Sequence, residues 1–121
     1  MHAESFWHSL RYAAQGIVHT VRTQRNARIH LVILALVVLA GVALQLSLQE
    51  WALVTLISAL VLSLELVNSA LEHLADKVEP NHDPHIMRAK DAAAGAVLIA
   101  ALAAVIIGVL VFGPHLLQLF F

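Results

Sequence analysis

Glu65, Asn68, Glu72 and Asp76 set three carboxylates and an amide along the end of an apolar segment long enough to enter a bilayer. At 100° per residue the four positions fall within an arc of about 80°, so on a helix they form a stripe on one face. Ionisable groups at membrane depth are costly and face a protein interior or a water-filled cavity, which makes the stripe a candidate functional site. Near the hydrocarbon boundary, Glu65 is placed to act as a general base toward a hydroxyl nucleophile. The plainer alternative is a carboxylate paired with a cation inside a helix bundle. Glu72 and Asp76, with Asn68 beside them, are hard oxygen donors that suit Mg²⁺, an ion that takes one or two carboxylates together with water and phosphate oxygens. The plainer alternative there is a solvated acidic helix end.

Lys90 lies beside Asp91 in a polar stretch between two apolar segments, where its ammonium can reach a phosphate as a point charge. Lys90 and Mg²⁺ together would neutralise the charge of a nucleotide and of phosphoryl transfer from it. The chain has neither a Gly-x-x-x-x-Gly-Lys loop nor a Gly-x-Gly-x-x-Gly turn, so a nucleotide site here is unrelated to the common phosphate cradles. Among the eight histidines, His82-Asp83-Pro84-His85 has a spacing that could suggest zinc, but a polar connection is the simpler reading of a short proline-containing loop. Trp7, Tyr12 and Trp51 read first as aromatics of the membrane interface.

The elements that must position these groups follow from hydropathy. The chain has 121 residues, 60% of them hydrophobic and 12% charged, with a mean hydropathy of +0.83. Soluble domains carry about 25% charged residues, so this is an integral membrane protein with no room for a soluble catalytic domain. It reads as a single membrane domain over residues 1–121. A net charge of −1 offers no concentrated basic surface for nucleic acid, and the absence of cysteine excludes disulfides and thiolate chemistry. Residues 5–24 alternate Phe6, Leu10, Ile17 and Val18 with His8, Arg11, Gln15 and Arg22 at helical spacing, the pattern of an amphipathic helix lying in the interface. No signal-peptide pattern precedes residue 30, so the amino terminus is expected to be retained.

Three transmembrane helices are predicted at about 29–48, 51–76 and 91–112, each near the roughly 20 residues a bilayer requires. Gly113-Pro114 is expected to break the third, with residues 116–121 at the interface. All seven Lys and Arg residues fall on one side of this arrangement. The positive-inside rule then makes the amino terminus, the 77–91 loop and the candidate site cytoplasmic. With Trp51 at the far surface, Glu65 lies about 21 Å along the helix in a core of about 30 Å, roughly 9 Å inside the cytoplasmic edge. Glu72 and Asp76 emerge toward the cytosol.

These residues also carry a resemblance. Glu65, Asn68, Ser69, Glu72 and Asp76, followed by Ala89-Lys90-Asp91 and Gly95, resemble the two-part signature of the prokaryotic diacylglycerol kinases and undecaprenol kinases. The stretch from Ser5 to Gly16 and the segment from Arg22 to His30 are similar to that family too. The resemblance implies a homotrimeric all-α protein of the bacterial cytoplasmic (inner) membrane, with an amphipathic surface helix and three spans per subunit. Its activity would be phosphorylation of a lipid alcohol by ATP and Mg²⁺, in active sites shared between subunits.

Position by position, the resemblance implies that Glu65 is the catalytic base and Glu72 a metal and nucleotide ligand. Lys90, Asp91, Asp76 and Tyr12 would contact nucleotide, and Asn68 and Arg28 would shape the substrate site. Many members have a second metal-binding glutamate before the first span, where this chain has Gln24, a carbonyl donor with one fewer charge. Diacylglycerol and undecaprenol both remain open as the lipid, with the Arg22 to His30 pattern leaning toward undecaprenol. The reading from another class is an oligomeric proton- or cation-conducting protein that uses Glu65. It gives Glu72, Asp76, Lys90 and Asp91 no joint task.

Overall fold

The computed structural model describes the backbone of residues 3–121 and the side chains of residues 5–121, all of it helical apart from short connections. Helix α1 (Ala3–Thr23) carries the amphipathic pattern, with Phe6, Leu10, Ile17 and Val18 exposed, as a face meant for the lipid interface must be. Gln24 then takes an extended conformation (φ −111°, ψ 115°) and separates α1 from α2 (Arg25–Leu44). The corner is fastened by Arg28, whose Nη1 donates to the carbonyls of Val21 at 3.1 Å and Arg22 at 2.8 Å. Those carbonyls belong to the last turn of α1, which has no intrahelical donors of its own.

A Schellman turn ends α2. The Leu46 N–H donates to the Gly41 carbonyl at 3.2 Å and the Gln45 N–H to the Val42 carbonyl at 3.3 Å, with Gln45 in the left-handed region at φ 57°. The turn folds Leu46 into a core with Val54 and Val111, against which Val37, Trp51, Ile107 and Phe112 pack. Gly41 lies under the Trp51 indole, where a Cβ would stand 2.6 Å from Cη2. Gly41→Ala is therefore expected to destabilise the protein by about 1–3 kcal/mol through overpacking, read as a lower thermal midpoint in detergent. An unchanged midpoint would show that Trp51 is free to move aside.

Helix α3 (Leu48–Val78) opens with a capping box: Ser47 Oγ accepts from the Glu50 N–H at 3.2 Å while Glu50 Oε1 accepts from the Ser47 N–H at 2.9 Å. This is why Leu48, expected to end the first span, instead begins the second helix. Helix α4 (Pro84–Phe120) starts well before its apolar run. Asp83 Oδ1 accepts from the N–H groups of His85 and Ile86, and Pro84 occupies the first helical position, where its missing N–H costs nothing. At 1.5 Å per residue, α3 and α4 reach about 46 and 55 Å, longer than a hydrocarbon core, so their polar ends stand clear of it. α3 packs mainly on α4, and α2 and α1 lean on α3.

The expected break at Gly113-Pro114 is not found: α4 continues through Pro114 to Phe120. Proline removes one backbone hydrogen bond, whereas unwinding the segment would give up those of the whole last stretch of the helix, a larger cost. The turn after Pro114 is also tied down, since His115 Nε2 lies 3.0 Å from both oxygens of Glu50 at the start of α3. α2, α3 and α4 are each long and apolar enough to cross a membrane. An amphipathic helix followed by three such helices is the fold class expected from the sequence.

Candidate functional site

Glu65 is buried on α3, with only 4% of its surface exposed. Its Oε2, the Asn68 Oδ1 and the Ser69 Oγ are all sealed from solvent without a hydrogen-bond partner among the described residues. A buried polar atom left unpaired costs about 1–3 kcal/mol, and native folds rarely leave one without a reason. Three of them within five residues of one helix make a place prepared for a polar group from elsewhere. Ser69, 3% exposed, had no mark in the sequence beyond its place in the motif, because a serine in a helix ordinarily bonds its own backbone.

Across from this cluster stands His30 of α2, whose Nε2 lies 3.5 Å from Glu65 Oε2. That is ion-pair range, though longer than a good hydrogen bond. His30 also lies at the edge of a cavity of about 270 Å³ between α2, α3 and α4, bounded by Ile57, Val61, Ala104, Gly108 and Phe112 among others. The lining is apolar except for His30 and Ser58. The buried carboxylate is therefore linked to a greasy space through His30, and a rising polar face continues from it along α3.

Along α3 that face becomes wetter. Glu72, about 10 Å further along the helix, is half-buried and makes no ion pair or hydrogen bond among the described residues. Asp76, about 16 Å from Glu65 along the axis, is exposed and pairs with the Lys90 ammonium from α4. Asp91 is exposed on the same turn of α4 as Lys90. α1 reaches α3 beside this region, with the rings of His19 and His73 at 5.6 Å.

The structure thus gathers Glu65, Asn68, Ser69 and His30 at one level, and Asp76 and Lys90 at another, with Glu72 between them. Gln24 is the hinge residue of the α1–α2 corner, and its side chain makes no capping bond. Arg28 is occupied with the end of α1, so its observed work is to set the angle of the surface helix. Tyr12 is 67% exposed with its ring 6.5 Å from His8, about 10 Å along α1 from the contact with His73. Among the described residues its ring has only the His8 ring as an aromatic neighbour.

No three His, Asp or Glu residues cluster as a metal cage among the described residues. Glu72 nevertheless fits Mg²⁺ chemically: it is an unpaired, half-buried carboxylate, and this ion needs few protein ligands when phosphate and water supply the rest. The arrangement offers a buried carboxylate joined through His30 to an apolar space, a second carboxylate above it that is unpaired among the described residues, and a cation at the polar end. Such a site can accept a hydroxyl from the membrane side and an anion from the aqueous side.

Comparison with known proteins places this geometry in context. The family model for prokaryotic diacylglycerol kinase matches residues 11–112. The undecaprenol kinase of Bacillus subtilis is 41% identical over 111 residues, covering 92% of this chain and 90% of that protein. The diacylglycerol kinase of a Synechocystis species is 45% identical over 112 residues, covering 92% of this chain and 64% of that protein.

Proposed function

The chain belongs to the prokaryotic diacylglycerol kinase family, and from that membership we propose that it transfers the γ-phosphoryl group of ATP to the hydroxyl of a membrane lipid. The observation that carries this reading is the buried Glu65 beside two further orphaned polar atoms, reached from an apolar cavity through His30 and continued by the polar end of α3. The lipid hydroxyl enters from the membrane side and meets Glu65, Asn68 and Ser69. Its oxygen attacks the γ-phosphorus, the bond from that phosphorus to the bridging oxygen of ADP breaks, and Glu65 takes the hydroxyl proton. Lys90 moves from Asp76 to the phosphate and offsets its charge. Glu72 would hold Mg²⁺, which supplies charge neutralisation at the phosphates when bound.

The site faces the cytoplasm of a bacterial inner membrane, where ATP is present and where the positive-inside rule puts Arg22, Arg25, Arg28, Arg88 and Lys90. The working unit is a homotrimer with shared sites. Support comes from groups that one chain leaves without partners: the exposed Tyr12, the unaccompanied Glu72, and exposed apolar side chains on α2 and α4 such as Leu36, Leu39, Val105 and Val109. Undecaprenol is the favoured lipid, because the Bacillus subtilis undecaprenol kinase matches over nearly its whole length.

The test is transfer of label from γ-labelled ATP to lipid in mixed micelles, with undecaprenol and diacylglycerol compared at equal mole fraction. Label should enter both, with higher kcat/KM for undecaprenol. Preference for diacylglycerol would reverse the choice of lipid, and label in neither would overturn the kinase.

A further inference from the structure

We infer that His30 is a positioning residue for Glu65, holding one carboxylate oxygen so that the other faces the lipid hydroxyl. The inference rests on the proposed role of Glu65 as the base. It begins from the one polar group that approaches the sealed oxygen: His30 Nε2, on a different helix, at 3.5 Å from Glu65 Oε2. A carboxylate can only accept a hydrogen bond, so this approach is favourable only when Nε2 carries the proton.

The surroundings leave His30 little else to do. Its exposed side borders the cavity of α2, α3 and α4, whose other lining residues are apolar apart from Ser58. Arg28, two residues earlier, is turned to the carbonyls of Val21 and Arg22 and does not compete for Glu65. Glu65 is the sole acid that His30 meets among the described residues. An imidazole in a largely apolar wall whose one acidic partner among the described residues is the buried carboxylate is a device for orienting that carboxylate.

Orientation matters because a general base must reach its proton within about 2.6–3.2 Å, and hydrogen bonds at catalytic groups are commonly long before substrate binds and tighten afterwards. Glu65 has three side-chain torsions and, without a partner for Oε2, no reason to prefer one setting of its carboxylate. Donation from Nε2 fixes Oε2 toward α2 and presents Oε1 to the hydroxyl. His30 is two residues from the Arg28 corner, so the angle of the surface helix and the setting of the base are built on the same turn of α2.

Two substitutions in the full-length trimer-competent protein separate positioning from packing. His30→Leu keeps the bulk in an apolar wall but removes the donor. His30→Gln keeps an N–H donor at about the reach of Nε2. His30→Leu is expected to lower kcat about 30-fold with the KM for ATP and for lipid unchanged within twofold, and His30→Gln to return kcat to within about threefold of the starting protein. Equal losses in both variants, a kcat within twofold of normal in His30→Leu, or a loss expressed in KM would each overturn the inference. Glu65→Gln is assayed alongside: if it retains near-normal kcat, the base assignment itself fails, whereas an inactive Glu65→Gln with a fully active His30→Leu defeats the His30 inference alone.

Discussion

Glu65→Gln is expected to lower kcat by about 10³-fold, the scale of a lost general base and about 4 kcal/mol in the barrier. Glutamine matches glutamate in volume and can still bond His30, Asn68 or a hydroxyl, but it cannot take the proton released when the lipid oxygen attacks phosphorus. The substitution also removes a charge from a residue that is almost fully buried. The thermal midpoint in detergent should therefore stay level or rise, which separates a chemical defect from a folding one. Binding of a non-hydrolysable ATP analogue should be unchanged within about twofold, because Glu72 and Lys90 lie about 10 Å or more along the polar face. Near-normal turnover by the purified variant would remove Glu65 from the mechanism.

The second large effect is expected at Lys90. Its ammonium pairs with Asp76, whose side chain is 63% exposed. Such a water-facing pair contributes at most about 1 kcal/mol, so it does not hold Lys90 against a more highly charged phosphate. In the proposed mechanism Asp76 is a resting place that keeps the ammonium at the mouth of the site. Lys90→Met, which keeps the length of the chain and removes the charge, should lower kcat by about 10²–10³-fold, the range seen when one preorganised stabiliser of transition-state charge is lost. The KM for ATP should rise as well, because the ground-state phosphates also lose a cation. Asp76→Asn should cost less, about tenfold or below, since it releases Lys90 without removing it. Steady-state kinetics over a range of ATP concentrations checks both, and an Asp76→Asn defect larger than that of Lys90→Met would contradict this division of labour.

Much of the architecture is legible in the residues because membrane helices are specified locally. The 3.6-residue alternation of Phe6, Leu10, Ile17 and Val18 is enough for α1, and the apolar runs are enough for the three spans. The helix ends are less so. Ser47 and Glu50 stand at capping-box spacing and Asp83-Pro84 at an N-cap and first-turn position, yet hydropathy alone put both boundaries several residues away. Pro114 misleads for a physical reason: its one lost hydrogen bond is offset by the contact of His115 with Glu50, a residue 65 positions away that no local pattern announces.

For the candidate site, the stripe on α3 follows from one helix's periodicity, but its partners come from other helices. His30 and Glu65 are 35 positions apart, and His115 and Glu50 are 65 apart. Only the antiparallel packing of the helices brings them together, so the histidines invite a metal reading in the sequence and turn out, in these two cases, to face carboxylates. Gln24 and Tyr12 mark the other limit. Their expected roles come from the resemblance alone, and the structure places them at a hinge and on an open surface.

The most direct measurement is the fate of γ-labelled phosphate in liposomes that contain the purified protein and undecaprenol, with a proton-sensitive dye enclosed. Phosphoryl transfer predicts label in the lipid fraction that depends on ATP, Mg²⁺ and the lipid alcohol, is lost in Glu65→Gln, and is accompanied by no proton flux when ATP is withheld. Proton flux without ATP, lost in Glu65→Gln, together with an unlabelled lipid fraction, would contradict the kinase and make Glu65 the ion-carrying group of a conducting assembly.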